Sequence, residues 1–192
     1  MSYLLNALSM LIELAFDAVV VILLLRVLAE ACRADFNNPL SQFLYRTTNP
    51  VLAPLRRVLP NWRRINLAGL LLAWLAMLLK RLLLFALSYG EMLNAPSLLV
   101  WSLAELLDFT LLFYIVVIFG WSLLSMFAVD RRQPLLRLAG SIVTPLLRPL
   151  DGKLVFGQID FGPMAVMIVL LLARILIAAP LLDLGARLAL GA

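Results

Sequence analysis

Along this chain, long apolar runs alternate with short, polar, proline-rich stretches. The runs are too continuous to be one face of a soluble helix. Four of them, at residues 3–31, 67–89, 97–127 and 161–182, supply the roughly 20 apolar residues that a helix needs to cross a hydrocarbon core. The third is the clearest, because residues 109–129 carry no charge. The first holds Glu13, Asp17, Arg26 and Glu30, yet its length and apolar fill still predict a span.

Composition agrees with this reading. The 192 residues are 64% hydrophobic and 14% charged, with a mean hydropathy of +1.03, whereas a soluble domain is about half apolar and a quarter charged. The pattern therefore predicts an all-α, polytopic membrane protein with four transmembrane helices. A single cysteine, Cys32, and no histidine leave a conventional zinc or haem site almost no ligands and remove the usual catalytic triads. No serine or cysteine has a general base beside it, so no catalytic residue, cofactor or metal is expected. The opening Met1-Ser2-Tyr3-Leu4-Leu5 lacks a basic region, and no cleaved signal peptide is expected.

The net charge of +5 and the pI near 10.0 would suggest nucleic acid, but the position of the charge argues otherwise. Arg33, Arg46, Arg56, Arg57, Arg63 and Arg64 lie between the first two spans, and Arg131, Arg132, Arg137, Arg148 and Lys153 between the last two. The connection at 90–96 has only Glu91. The positive-inside rule then places both basic loops in the cytoplasm and both termini outside, in the periplasm of a bacterial inner membrane. The expected partners are the bilayer and its anionic headgroups, together with a membrane-protein partner or further copies of the chain, and not nucleic acid.

The chain also repeats itself. Pro39, Pro50 and Pro54 recur as Pro134, Pro145 and Pro149 at a shift of 95 residues, with Asp35 matching Asp130 and Glu13 matching Asp108. At a shift of 94, Ile65-Asn66 aligns with Ile159-Asp160 and Lys80 with Arg174. Two units, 1–94 and 95–192, each read as helix, proline loop, helix. With two spans per unit, the copies are parallel and related by an axis along the membrane normal.

Asn38-Pro39, Thr48-Asn49-Pro50 and Pro54-Leu55-Arg56, followed by a second apolar span, resemble the YggT family, called YlmG in Gram-positive bacteria and photosynthetic lineages. The second copy offers Gln133-Pro134, Thr144-Pro145, Arg148-Pro149-Leu150 and Asp160-Phe161-Gly162-Pro163. The family's Asp-x-Ser-Pro pattern is kept there only as Asp160 and Pro163, and the first copy has Asn66 and Gly69 instead. Arg56 faces Asp151 in the repeat alignment. The resemblance implies a membrane unit without demonstrated chemistry, whose members are associated with osmotic or ion homeostasis, cell division and complex assembly.

Asn38 is a good N-cap and Pro39 suits the first helical position, predicting a short amphipathic helix at 39–48 that stops before Pro50. Leu40, Phe43, Leu44, Thr47, Val51 and Leu55 would turn toward the headgroup layer. Pro54 and Pro149 are expected to prevent a continuous helix. Such a loop is either an elbow between spans or a lipid-grasping element that exposes Arg56, Arg57 and Arg148 to phosphate.

Charge inside the spans is the second constellation. Glu13, Asp17, Glu105 and Asp108 lie in the odd spans, Lys80 and Arg174 in the even ones. The repeat suggests Glu13 with Lys80 and Asp108 with Arg174, across a vertical offset of roughly 6 Å at 1.5 Å per residue. Such charges face partners or water, so they either lock the helices together or line a cation pathway. Gly69, Ala73 and Ala76 form a small-residue stripe for close helix approach, and the tail 181–190 beyond Pro180 reads as a short outer-surface helix with an Asp183–Arg187 pair. A non-enzymatic organising or assembly factor is the leading expectation, and an ion or osmolyte conductance the alternative.

Overall fold

The computed structural model describes residues 2–89, 94–126, 133–150, 152–156 and 159–190. The end of the third expected span at Phe127, and Asp130, Arg131, Arg132 and Asp151, lie outside the described residues. The helices are α1 (Ser2–Ala31), α2 (Pro39–Val58), α3 (Leu67–Tyr89), α4 (Ala95–Met126), α5 (Pro134–Leu147), α6 (Gly162–Ala173) and α7 (Ala179–Leu190). A 3₁₀ turn (Arg148–Leu150) follows α5, and a π-helical stretch (Arg174–Ala178) joins α6 to α7.

Four helices are long and apolar enough to cross a membrane: Tyr3–Ala31, Leu67–Ser88, Ala95–Ser125 and Gly162–Ala189. Only 11 to 17% of each span's most apolar window is buried. Most of the apolar surface therefore faces outward, as in a multi-pass membrane protein whose solvent is lipid. α3 packs between α1 and α4, and α4 between α3 and the α6–α7 rod. One core cluster joins Val20, Leu24, Ala73, Met77 and Phe113 across the first three spans. Another joins Ile118, Val143 and Val166 in the second copy.

The ends of these helices have identifiable causes. After α1, Arg33 adopts φ 55°, its N–H donating to the Glu30 carbonyl at 3.2 Å and that of Ala34 to the Ala29 carbonyl at 2.8 Å. That is a Schellman closure, and buried Ala29 and Ala34 share a core cluster as the motif favours. Between α2 and α3, Trp62 and Ile65 exchange two backbone hydrogen bonds across Arg63-Arg64. The corresponding turn in the second copy is the ladder of Val155–Phe156 with Ile159–Asp160. The shift of 94 that pairs Ile65 with Ile159 thus has a structural counterpart.

The proline helices depart from expectation. α2 continues through Pro50 and Pro54 to Val58 rather than stopping before Pro50. The reason lies in spacing: Arg46, Pro50 and Pro54 are four residues apart and all exposed, while Ser41, Leu44, Thr48 and Leu52 are buried on the opposite side. The carbonyls left without amide partners therefore lie on an outward edge where water or headgroups can reach them. α5 likewise contains Pro145, and the chain tightens to a 3₁₀ turn at Pro149. On α2, Phe43, Thr47 and Val51 are exposed, whereas Leu44 is buried in a core cluster with Ala29 and Ile142 rather than turned toward the headgroup layer.

Pro180 does not separate a surface helix from the fourth span. The rod is helical from Gly162 to Leu190, and the Ala179 N–H donates to the Arg174 carbonyl five residues back. Widening the ladder just before Pro180 makes room for its ring. α7 then lies against α4, where a Cβ on Gly185 would come within 2.8 Å of the Trp101 backbone. No ion pair joins Asp183 to Arg187.

Candidate functional site: two layers of charge

The first layer lies within the spans. Lys80, 4% exposed, places Nζ 2.7 Å from Asp17 Oδ1 and 2.6 Å from Glu105 Oε1. Arg81 donates from Nε and Nη2 to Glu105 Oε2 at 3.0 and 2.6 Å, and its guanidinium carbon sits 4.3 Å from the Trp101 ring centroid. Two acids and two bases from α1, α3 and α4 thus neutralise one another. In the second copy Arg174 donates from Nε and Nη2 to the two Asp108 oxygens at 2.7 and 2.8 Å.

The pairing of Asp108 with Arg174 follows the repeat, but that of Glu13 with Lys80 does not. Glu13 is exposed and has no ion pair among the described residues. Asp17 lies one turn nearer the loop end, which removes the vertical offset of about 6 Å that Lys80 would otherwise have to span. The second copy has Leu112 at the position matching Asp17, so Asp108 serves there instead.

The second layer gathers at the loop-bearing end. Glu30 accepts from Arg56 Nη2 at 2.6 Å and from Asn66 Nδ2 at 2.8 Å. Arg26, 2% exposed, brings Nη2 within 2.6 Å of the same carboxylate, though off the line a hydrogen bond requires, and its Nε has no partner. Its guanidinium carbon lies 4.2 Å from the Tyr45 ring centroid. Two guanidinium groups therefore share one carboxylate. Arg56, expected to be free for phosphate, is tied into the protein.

Asn66, completely buried, does two jobs. Its Oδ1 accepts the Gly69 N–H at 3.0 Å, capping α3, while its amide holds Glu30. Asp160 does the capping part in the second copy, accepting the Gly162 N–H at 2.8 Å. The sequence alignment of Asn66 with Asp160 contained this signal, but departure from the expected motif concealed it.

The proline motifs bring the two copies together. Asn38 Oδ1 accepts the Leu40 N–H at 2.9 Å as the α2 N-cap, and its Nδ2 donates to the Pro134 carbonyl at 2.7 Å. Asp35 pairs with Arg137 at 2.9 Å. Gln133 makes no corresponding side-chain cap. Pro163 is buried in the first turn of α6. Cys32, just beyond α1, is partly buried, and burial pushes its thiol above the ordinary range.

Arg33, Arg46, Arg57, Arg63, Arg64 and Arg148 are exposed and form no ion pair among the described residues. The loop end thus carries uncompensated positive charge, whereas Lys80, Arg81 and Arg174 within the spans are each paired with an acid; Glu13, Asp183 and Arg187 form no ion pair among the described residues.

The chain is similar to known proteins over nearly its whole length. The CCB3/YggT family matches residues 5–87 and 100–181. An Escherichia coli K12 protein described as uncharacterised protein YggT is 32% identical over 171 residues, covering 86% of each chain. An uncharacterised protein of Vibrio alginolyticus is 31% identical, over 89% of this chain and 93% of its own. Another, from Pseudomonas aeruginosa, is 35% identical over 81% and 80% respectively. No solved structure matches the chain significantly. With the family unit matched twice and four apolar helices to carry it, the chain belongs to the CCB3/YggT family of multi-pass membrane proteins.

Proposed function

We propose that this protein is a non-enzymatic organising or assembly factor of the bacterial inner membrane. Its basic loop layer faces the cytoplasm and engages anionic headgroups or membrane-protein partners, and both termini face the periplasm. The contrast between the two charge layers carries this reading. Within the spans Lys80, Arg81 and Arg174 are satisfied by Asp17, Glu105 and Asp108. Paired charges of this kind hold helices together and leave no ordered row of free carboxylates for a permeating cation. At the loop end, unpaired arginines supply the forked donors suited to phosphate.

The test is purification of the full chain from native membranes in lipid nanodiscs, with identification of every lipid and protein retained in stoichiometric amount. Enrichment of anionic phospholipid or a defined membrane-protein partner is expected, with ion flux in reconstituted liposomes equal to that of empty ones. A homo-oligomer with no enriched lipid or partner, and a cation flux abolished by Glu105→Gln, would instead establish a conductance.

A further inference from the structure

Where α1 ends, the hairpin between α2 and α3 and the proline helix α5 enclose a cleft of about 520 Å³. Its polar lining comes from Arg64 of the first copy and from Arg148, Ser141 and Thr144 of the second. Among the described residues no carboxylate lines it. Asp160 lines a neighbouring cleft that shares Thr144 and Arg148; it holds the Gly162 N–H at 2.8 Å and makes no ion pair with Arg148.

Two guanidinium groups from separate elements, lining a space to which no described residue contributes an acid, make a site for an anion with several acceptor oxygens. The negative end of α1 would oppose this, but the Schellman closure has already engaged the carbonyls of Ala29 and Glu30. Ser141 Oγ donates to the Leu138 carbonyl at 2.7 Å and Thr144 Oγ1 to that of Gly140 at 2.6 Å. Their hydroxyl protons are therefore committed, and their lone pairs remain to accept from a ligand that brings its own donors. Phosphate esterified to a hydroxylated group meets both demands, and the cleft volume is within the usual range for a small ligand.

We infer that this cleft between the repeats binds the phosphate diester of an anionic, hydroxyl-bearing glycerophospholipid headgroup, with Arg64 and Arg148 on the phosphate and Ser141 and Thr144 on the headgroup hydroxyls. The site deepens the proposed function and rests on its lipid-binding arm. It also gives the tandem arrangement a purpose, since neither copy alone supplies both arginines.

Cys32 also lines the cleft and is the sole cysteine of the chain, so its alkylation by N-ethylmaleimide reports occupancy. The full-length protein is reconstituted in phosphatidylcholine nanodiscs, with or without phosphatidylglycerol, and alkylation is timed in each. Phosphatidylglycerol is expected to slow the reaction several-fold in the native chain and in Arg187→Gln, which removes an exposed charge on α7, away from the loop end. The slowing should vanish in Arg64→Gln and Arg148→Gln, and return in part with Arg148→Lys. Equal loss in Arg187→Gln, or no slowing at all, overturns the site.

Glycerol phosphate added to pure phosphatidylcholine discs separates a lipid from a soluble ester. Slowing there, lost in the same two variants, supports the phosphate site but assigns its ligand to solution. Native mass spectrometry of the lipids retained distinguishes failure of the cleft from failure of the wider reading. Retained anionic lipid with unprotected Cys32 overturns the cleft alone, whereas absence of both overturns the lipid reading with it.

Discussion

Lys80 and Glu105, one from each copy of the repeat, meet at 2.6 Å inside the bundle. Because Lys80 also holds Asp17 at 2.7 Å, this ammonium joins α1, α3 and α4. Lys80→Met should lower stability by on the order of 3 kcal/mol, since it leaves Asp17 without a partner in an apolar setting. Adding Asp17→Asn should recover part of the loss. Denaturation in mixed micelles checks both; native stability with altered ion leak would refute the packing role.

Glu30 and Arg56 are paired, yet their removal should have unequal effects. Glu30→Gln leaves the guanidiniums of Arg26 and Arg56 side by side without a counter-charge, and a loss of about 3–5 kcal/mol is expected. Arg56→Gln keeps Glu30 bound to Asn66 and beside Arg26, so its cost should be well below that. Parallel unfolding measurements on the two variants would show the difference, and equal losses would argue against a shared carboxylate.

A side chain on Gly69 would meet Val27 Cγ2 at 2.6 Å, because α1 and α3 approach closely there. Gly69→Ala is expected to cost about 1–3 kcal/mol through overpacking. Val27→Ala in the same chain should return much of it. A double-mutant cycle measures the coupling, and strict additivity would mean that the helices do not touch at this point.

Burial raises the Cys32 thiol above its ordinary 9.0, so less thiolate is present at neutral pH than in a free thiol. In neutral-lipid discs, alkylation should be slow near pH 7 and keep climbing past pH 9.0. A rate that levels off below that point would contradict the burial. The sign follows from desolvation, which penalises the anion.

The spans were legible because continuous apolar length is a one-dimensional property, and the repeat because prolines at fixed spacing survive divergence. Asn38 was legible as a cap for the same local reason. The continuation of α2 through Pro50 and Pro54 was not, because a proline's effect depends on whether its helix edge faces protein or headgroups. Asp17 replaced Glu13 as the partner of Lys80 because depth along a helix, rather than alignment to the other copy, decides which charges meet. Arg64 escaped notice as a cleft residue because its neighbours come from α1 and α5, distant in sequence.

The π-helical stretch before Pro180 makes the two copies non-interchangeable. One residue added without a full turn rotates everything after it by about 100° relative to a regular helix, and that rotation sets which face of α7 meets α4. Gly185 stands there against Trp101, while the matching positions in the first copy are Asn6 and Glu91. A chain assembled from two first halves would carry all three repeated loop prolines twice and still lack this seam. The duplication has therefore become a division of labour, with one half supplying the arginine hairpin and the other closing the far end of the bundle.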